Sequence, residues 1–128
     1  MSNASNYLEN KVLGECFGSG DRYIGLFLSN PTDFDAGVEV DQNGTGYIRQ
    51  KVAFSSPKSE GDKQYIENTS EITFPLALAD YGTVTHYGIY DSQNQGNLYI
   101  HGKLIRDVNI TKDSKFIVLA NNLKIYID

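Results

Sequence analysis

Two neighbouring segments with strand-like side chains constrain the fold of this chain most. Residues 83–91 and 97–105 are rich in β-branched and aromatic side chains, and the five residues between them, 92–96, end in a glycine. A short turn with glycine between two such segments is typical of an antiparallel β-hairpin. The sequence therefore predicts a hairpin over residues 83–105.

Further segments of the same character lie on both sides of this hairpin. Residues 23–29 are apolar almost throughout, which is typical of a strand covered on both faces. In residues 47–54 apolar positions alternate with Arg49 and Lys51, so we expect these two cations to point away from the covered face. The remaining predicted strands are residues 65–67 (a short edge strand), 71–74, 116–119 and 123–127.

Polar stretches separate the predicted strands. Residues 30–46 and 55–63 are rich in polar and turn-forming side chains, so both are predicted to be loops. A chain of 128 residues fits one domain. About seven or eight short strands divided by turns predict an all-β fold, an antiparallel β-sandwich.

The sequence predicts a single short helix, near its start. Asn6 is a suitable N-cap with Glu9 three residues later, and Gly18 marks the end of the helix. The apolar positions of this segment form one stripe at helical spacing: Leu8, Val12, Leu13, Cys16 and Phe17. We accordingly divide the chain into a helical segment, residues 1–20, and a β-sandwich domain, residues 21–128.

Charge and composition argue against several classes of partner. The net charge is -5, and the 11 Lys and Arg residues are scattered, so no basic cluster is available for a phosphate backbone. Cys16 is the single cysteine, which excludes an internal disulfide and a multi-cysteine zinc site. We expect no secretory signal in residues 1–20, and no run approaches the roughly 20 apolar residues of a membrane span. Nucleic acid and membrane are therefore not expected partners.

The two histidines are the first candidates for chemistry. A general base or metal ligand at His86 would need a nucleophile, an orienting group or further ligands, and none is suggested nearby. We therefore interpret His86 as a half-buried ring bonded to a carbonyl or hydroxyl oxygen. His101 is interpreted as a solvated or interface histidine, since two isolated histidines are a weak metal signal.

Two loops superficially resemble ligand sites. Asp33, Asp35, Glu39 and Asp41 do not have the spacing of a calcium-binding EF-hand, so we interpret them as solvated turn formers. Residues 18–21 (GSGD) lack the lysine and the strand-to-helix order of a phosphate-binding loop and are interpreted as a helix stop. The sequence thus predicts no catalytic, cofactor or metal site, and we expect that the protein is not an enzyme.

Tyrosines are abundant among the predicted strands. Tyrosine is enriched at protein interfaces because it combines apolar area with a hydroxyl group. Burial between two sheets is the competing interpretation, and the sequence leaves both open. The tyrosines concerned are Tyr47, Tyr65, Tyr87, Tyr90, Tyr99 and Tyr126.

Several blocks occur in an order that resembles a known family. Residues 72–75 (ITFP) precede 81–91 (YGTVTHYGIYD), then 96–98 (GNL) and 102–104 (GKL). These blocks resemble small virion structural proteins of tailed phages, usually labelled tail fibre proteins, with their ITFP, WGTVTHFGIFD and GNLL pattern. Tyr81 stands where that family usually has Trp, and an aromatic residue should keep the packing role. Further agreeing segments are 7–13, 23–29, 30–33 and 46–49, whereas the loops 34–46 and 55–68 match no block.

The resemblance implies a non-enzymatic bacteriophage virion protein, associated with the tail fibre and assembled in the host cytoplasm. Its expected partners are other virion proteins and further copies of this chain, with residues 1–20 as an attachment helix. The alternatives are a capsid decoration (cement) protein, or a carbohydrate-binding module for host glycans with its site in the long loops. The residues expected at the protein interface are Tyr7, Leu8, Val12, Leu13, Tyr87 and Tyr99.

Overall fold

The chain folds mostly as β-structure. A computed structural model describes residues 2–127, of which 40% lie in strands, with three antiparallel sheets and one short N-terminal helix. The predicted fold class is confirmed, with nine strands in place of seven or eight. The elements are α1 (Asn6–Phe17), β1 (Arg22–Phe27), β2 (Gln50–Val52), β3 (Lys58–Glu60), β4 (Lys63–Glu67), β5 (Ile72–Thr73), β6 (Gly82–Tyr90), β7 (Leu98–Ile110), β8 (Ile117–Val118) and β9 (Lys124–Ile127).

The chain divides into two compact units. The first, which we call the helix unit, comprises the residues up to 21, residues 52–72 and the residues from 118 onward. The second, the hairpin unit, comprises residues 22–51 and 73–117. Each unit draws on segments distant in sequence, so the units do not correspond to two consecutive halves of the chain.

The helix unit contains the three-stranded sheet β3-β4-β9. β4 is its central strand, paired antiparallel with β3 on one side and with β9 on the other, so the predicted edge position of residues 65–67 is wrong. β3 itself lies inside residues 55–63, which were predicted to be a loop. Helix α1 packs against β4, and the core of the unit includes Leu13, Phe17, Ile66, Leu123 and Ile125.

A buried amide fixes the chain around the end of β4. The Asn68 side chain is fully buried; its Oδ1 accepts from the backbone N–H of Leu123 at 2.9 Å. Its Nδ2 donates to the backbone carbonyls of Ser70 at 2.9 Å and Leu119 at 3.0 Å. This buried amide, with its donors and acceptor satisfied, reinforces the backbone hydrogen bonds that Asn68 makes with Leu123 and Asn121.

The hairpin unit is organised by the four-stranded sheet of order β2-β1-β6-β7. Within β1, residues 24–27 are all buried, which confirms the prediction of a strand covered on both faces. The predicted hairpin is also confirmed: β6 and β7 pair antiparallel, with Ile89 opposite Ile100. β7 continues to Ile110, beyond the predicted end at residue 105.

The segment from Tyr47 to Phe54 differs most from its prediction. Only Gln50–Val52 is a strand, and Arg49, expected to point to solvent, is 5% exposed. Tyr47 is also buried, with its ring stacked on Phe74 and edge-on to Tyr81. Tyr81 thus keeps an aromatic packing role.

Candidate interaction surfaces

Helix α1 begins one residue earlier than its predicted cap. Ser5 is the N-cap, and its side-chain oxygen accepts from the backbone N–H of Leu8 at 3.3 Å. Asn6 is the first helical residue, so the assignment of Asn6 as the cap is wrong. Gly18 closes the helix, its N–H donating to the Gly14 carbonyl at 2.9 Å, and this end agrees with the prediction.

The packed face of α1 is rotated from the predicted stripe. The buried residues are Glu9, Leu13 and Phe17, which lie four residues apart on one side of the helix. Leu8, which belongs to the predicted apolar stripe, lies off this packed face and is 48% exposed. A polar residue, Glu9, occupies the packed face, and hydrophobic spacing alone could not indicate this.

The outward side of α1 presents part of the predicted interface. Tyr7 is 75% exposed, and Val12 is half-buried. Leu13 is fully buried, so it packs α1 onto the core of the helix unit and offers no surface to a partner. Exposed Tyr7 and Leu8 are neighbours in sequence at the start of a packed helix, which makes them available to another chain.

A shallow groove borders the same helix. It is lined by Tyr7, Asn10, Lys11, Gly14 and Pro57. A Cβ atom added at Gly14 would meet nothing within 4 Å apart from the adjoining backbone of its own helix, so this glycine leaves open space in the wall of the groove. The groove combines an aromatic ring, a cation and backbone that a partner could approach closely.

Beneath the helix lies an incompletely satisfied carboxylate. Glu9 is 2% exposed, and within residues 2–127 its Oε1 has no hydrogen-bond partner. A buried polar oxygen without a donor lowers the stability of the folded state. We therefore expect Glu9 to weaken the packing of α1 against the rest of the helix unit.

Tyr87 and Tyr99 lie on the hairpin in different environments. Tyr87 is half-buried opposite Gly102, where a Cβ atom would come within 2.6 Å of the Tyr87 hydroxyl oxygen. Burial raises the pKa of Tyr87. Tyr99 is 41% exposed, and the guanidinium of Arg22 lies over its ring at 4.4 Å. Of this pair, Tyr99 offers the larger surface to a partner.

A polar network that the sequence did not predict centres on Arg49. Its Nε and Nη2 donate to the two carboxylate oxygens of Glu39, each at 2.9 Å. Its Nη1 donates to the carbonyls of Ser92 at 3.0 Å and Gln95 at 2.6 Å, and the guanidinium lies 3.6 Å over the ring of Tyr90. Arg49 thereby joins the loop that carries Glu39 to the turn of the hairpin.

The charge state of this network follows from its contacts. Burial lowers the pKa of Arg49, but its hydrogen bonds to Glu39 and the charge of that carboxylate raise it more, and the net shift is upward. Tyr47 donates to Glu39 at 2.5 Å and accepts the N–H of Leu26 at 2.9 Å. Burial and then the Glu39 charge raise the pKa of Tyr47.

The acidic loop contributes structural contacts. Asp35 accepts a hydrogen bond from the Tyr90 hydroxyl, and burial followed by this bond raises the pKa of Tyr90. Asp41 accepts the backbone N–H of Asn43 at 2.9 Å, as expected of a turn former. The interpretation of Glu39 as a solvated residue is wrong, because its carboxylate accepts hydrogen bonds from the buried Arg49. The only available signal was Arg49 itself, two residues after Tyr47 in a segment with alternating apolar side chains.

Both histidines are held by polar neighbours. His86 Nδ1 lies 2.7 Å from the Thr85 hydroxyl oxygen, which confirms the interpretation of a half-buried ring bonded to a hydroxyl. His101 Nε2 lies 2.8 Å from Asp33 Oδ1. The register places His86 opposite Lys103 and His101 opposite Gly88, so the two rings lie on the same face of the sheet.

Neither histidine belongs to a metal centre in the described part of the chain. Among residues 2–127, no three His, Cys, Asp or Glu side chains are close enough together to hold a metal ion. In the same residues, no helix is long and apolar enough to cross a membrane.

A pair of tyrosines forms a second aromatic surface, in the helix unit. Tyr65 on β4 lies opposite Tyr126 on β9, and their ring centroids are 5.2 Å apart. Lys124 lies 5.4 Å over the ring of Tyr65, and the Tyr126 hydroxyl donates to Glu60 at 2.7 Å. Of the six tyrosines considered from the sequence, Tyr47 and Tyr90 are buried, which agrees with burial for these two, while Tyr99 and Tyr126 are exposed, and for them the interface interpretation stays a prediction.

The fold and its surfaces define a class: a small β-sheet protein with exposed apolar and aromatic side chains on its helix and on its strands. Over residues 3–126 it matches the family described as podophage GP4 fiber I protein gp80, and it belongs to that family. The resemblance to phage fibre proteins is thereby confirmed, and the family implies a location in the virion among other virion proteins. A comparison with curated proteins gives no match.

Proposed function

We propose that the chain is a non-enzymatic structural component of the phage tail, joined to the particle by protein–protein contacts through the outward face of α1. The observation that carries this proposal is the exposure of Tyr7 and Leu8 on a helix whose opposite side is buried. Complete removal of a large apolar side chain from water is worth about 1.5–3 kcal/mol, and the gain falls in proportion where the side chain is already partly covered. Many copies in one particle turn such modest contacts into stable attachment.

The structure determines how the attachment is best tested. Removal of residues 1–17 would also remove buried Leu13 and Phe17, and would uncover the core of the helix unit. The test therefore replaces exposed side chains, in the double variant Tyr7→Ser and Leu8→Ser. Glu15→Ser, on the same helix and with a side chain that is 69% exposed, is the matched control.

The experiment supplies each variant to a phage that lacks the wild-type gene. We expect the double variant to purify with an unchanged circular dichroism spectrum but to be depleted from particles, whereas Glu15→Ser is incorporated normally. Normal stoichiometry of the folded double variant would refute attachment through α1.

Capsid decoration is the alternative within the same class. The family's fibre label favours the tail. Copy number separates the two locations, because a tail component follows the low copy number of the tail and a decoration protein follows the many subunits of the shell. Quantitative mass spectrometry of purified particles measures this ratio directly.

Host-glycan binding is the second candidate function, and the Tyr65–Tyr126 pair favours it. Sugar rings stack on exposed aromatic faces, and here two rings 5.2 Å apart lie beside Lys63, Lys124 and Glu60. A glycan array with the wild-type chain, repeated with Tyr126→Ala, tests this proposal. A hit that survives Tyr126→Ala, or the absence of any hit, counts against it.

A further inference from the structure

The long strand β7 lies at the end of its sheet. In the order β2-β1-β6-β7 its hydrogen-bonded neighbour is β6, so among residues 2–127 its outer edge has no strand partner. An unpaired edge presents a row of backbone donors and acceptors to any strand that can align with it. At 13 residues, β7 is also the longest strand of the chain.

The middle of β7 departs from regular pairing. Lys103 lies opposite His86, and the next aligned pair is Val108 with Val84, so residues 104–107 together face Thr85 alone. A bulge of this kind bends the strand that carries the extra residues. At its centre Ile105 is 101% exposed, the most exposed large apolar side chain among residues 2–127.

The residues on either side of Ile105 carry opposite charges. Lys103 and Asp107 lie two residues before and after it, and all three side chains are exposed. Alternate residues of a regular strand point to the same face, but the register shift between residues 103 and 108 interrupts this alternation, so what the three side chains share is their exposure along the terminal strand of the sheet. Neither Lys103 nor Asp107 forms an ion pair within residues 2–127.

We propose that β7 is a homotypic interface, in which a second copy of this chain pairs antiparallel with β7 about a two-fold axis at Ile105. This register places Ile105 against the same residue of the copy. It also places Lys103 opposite Asp107 of the copy, twice by symmetry, and directly opposed opposite charges stabilise strand pairing.

Neighbouring registers are less favourable. A shift of the axis to residue 104 places Lys103 opposite Ile105, and a shift to residue 106 places Asp107 opposite Ile105. An axis at Lys103 places this lysine opposite the same lysine of the copy, so that like charges face each other. Charged residues and bulges on edge strands commonly prevent such pairing, but here the charges complement a second copy and do not repel it.

This inference names the homotypic contact within the proposed assembly, and so it rests on that function while remaining testable on the isolated chain. Sedimentation velocity of the purified protein should show a concentration-dependent dimer. Ile105→Lys places like charges at the axis, and we expect it to weaken the dimer at least tenfold without loss of fold, because the side chain is fully exposed. Lys103→Glu should also weaken it, and Lys103→Glu combined with Asp107→Lys should restore it.

A cross-link reports the register itself. In a Cys16→Ala background, Ile105→Cys should form an intermolecular disulfide on mild oxidation, because directly opposed residues have Cα atoms about 4.5–5.5 Å apart. Lys103→Cys should not, because its copies would lie four residues apart along the strands. A chain that stays monomeric at its highest soluble concentration, or links equally well through both cysteines, overturns the proposal. If a protein with either of these results still enters particles, and the Tyr7→Ser, Leu8→Ser variant does not, then the homotypic contact is refuted while the proposed function stands.

Discussion

The guanidinium of Arg49 and the carboxylate of Glu39 form a two-pronged ion pair, with both N–O distances 2.9 Å. The Arg49 side chain is 6% exposed and that of Glu39 23%. Because the same guanidinium bonds the carbonyls of Ser92 and Gln95, one side chain holds two separate loops of the hairpin unit.

Replacement of this arginine should strongly destabilise the protein. Arg49→Met leaves a partly buried carboxylate and two carbonyls without their donor, and we expect a loss of about 3–5 kcal/mol in the free energy of unfolding. Arg49→Lys should recover only part of this loss, because an ammonium group cannot reproduce the planar fork. Urea unfolding at pH 7 measures both variants.

The matched control for this prediction is Arg106→Met, on an exposed arginine. It should change stability by no more than about 0.5 kcal/mol. Equal effects of the two Arg→Met changes would contradict the role assigned to Arg49.

Stability should fall at alkaline pH because of the buried tyrosines. Burial first, and then Glu39, raises the pKa of Tyr47 above the value of about 10 that tyrosine has in an unfolded chain. Above pH 10 the unfolded state therefore releases a proton that the folded state keeps, and the free energy of unfolding decreases as pH rises. Below pH 10 the contribution of Tyr47 to the free energy of unfolding is present in full.

The variant Tyr47→Phe tests this assignment. It leaves the buried N–H of Leu26 without its acceptor, so stability at pH 7 should drop by about 1–3 kcal/mol. Its stability should then decline less steeply above pH 10 than that of the wild type. Tyr7→Phe, at an exposed position, controls for the loss of a hydroxyl at pH 7. An identical alkaline slope in wild type and Tyr47→Phe would count against the prediction.

Removal of the buried carboxylate under α1 should stabilise the chain. Glu9→Met replaces an oxygen that has no donor within residues 2–127 by an apolar group of similar length, and we expect a gain of about 1–3 kcal/mol. Thermal and urea unfolding would measure it, with exposed Glu15→Met as control. A loss of stability would show that the Glu9 carboxylate is needed for packing.

Gly14→Ala should raise the stability of the protein but lower its incorporation into particles. The added methyl meets nothing within 4 Å apart from the adjoining backbone of its own helix. Alanine is favoured over glycine inside a helix by about 1 kcal/mol, so α1 should become more stable. The same methyl narrows the groove beside Tyr7 and Lys11, so incorporation into particles should decrease. Higher stability with unchanged incorporation would exclude this groove from the attachment surface.

The parts of the fold that sequence could predict are those governed by local pattern. The hairpin, the doubly covered strand β1 and the C-terminal end of α1 followed from strand-like side chains around a short turn, an apolar run and a terminal glycine. β3 was missed because Lys58–Glu60 is polar throughout and is a strand only through its pairing with β4. The face of α1 was misjudged because the packed side contains Glu9 in place of a third apolar residue.

By itself, the sequence determined the all-β class, the single helix and the likeness to phage fibre proteins, since these depend on residue order and periodicity. Only the tertiary structure decided which side of α1 faces solvent, that Arg49 is buried on Glu39, and that β7 ends its sheet with Ile105 exposed. The physical reason is that burial, ion pairing and edge position depend on which distant segments come together. Local pattern restricts those choices but does not select among them.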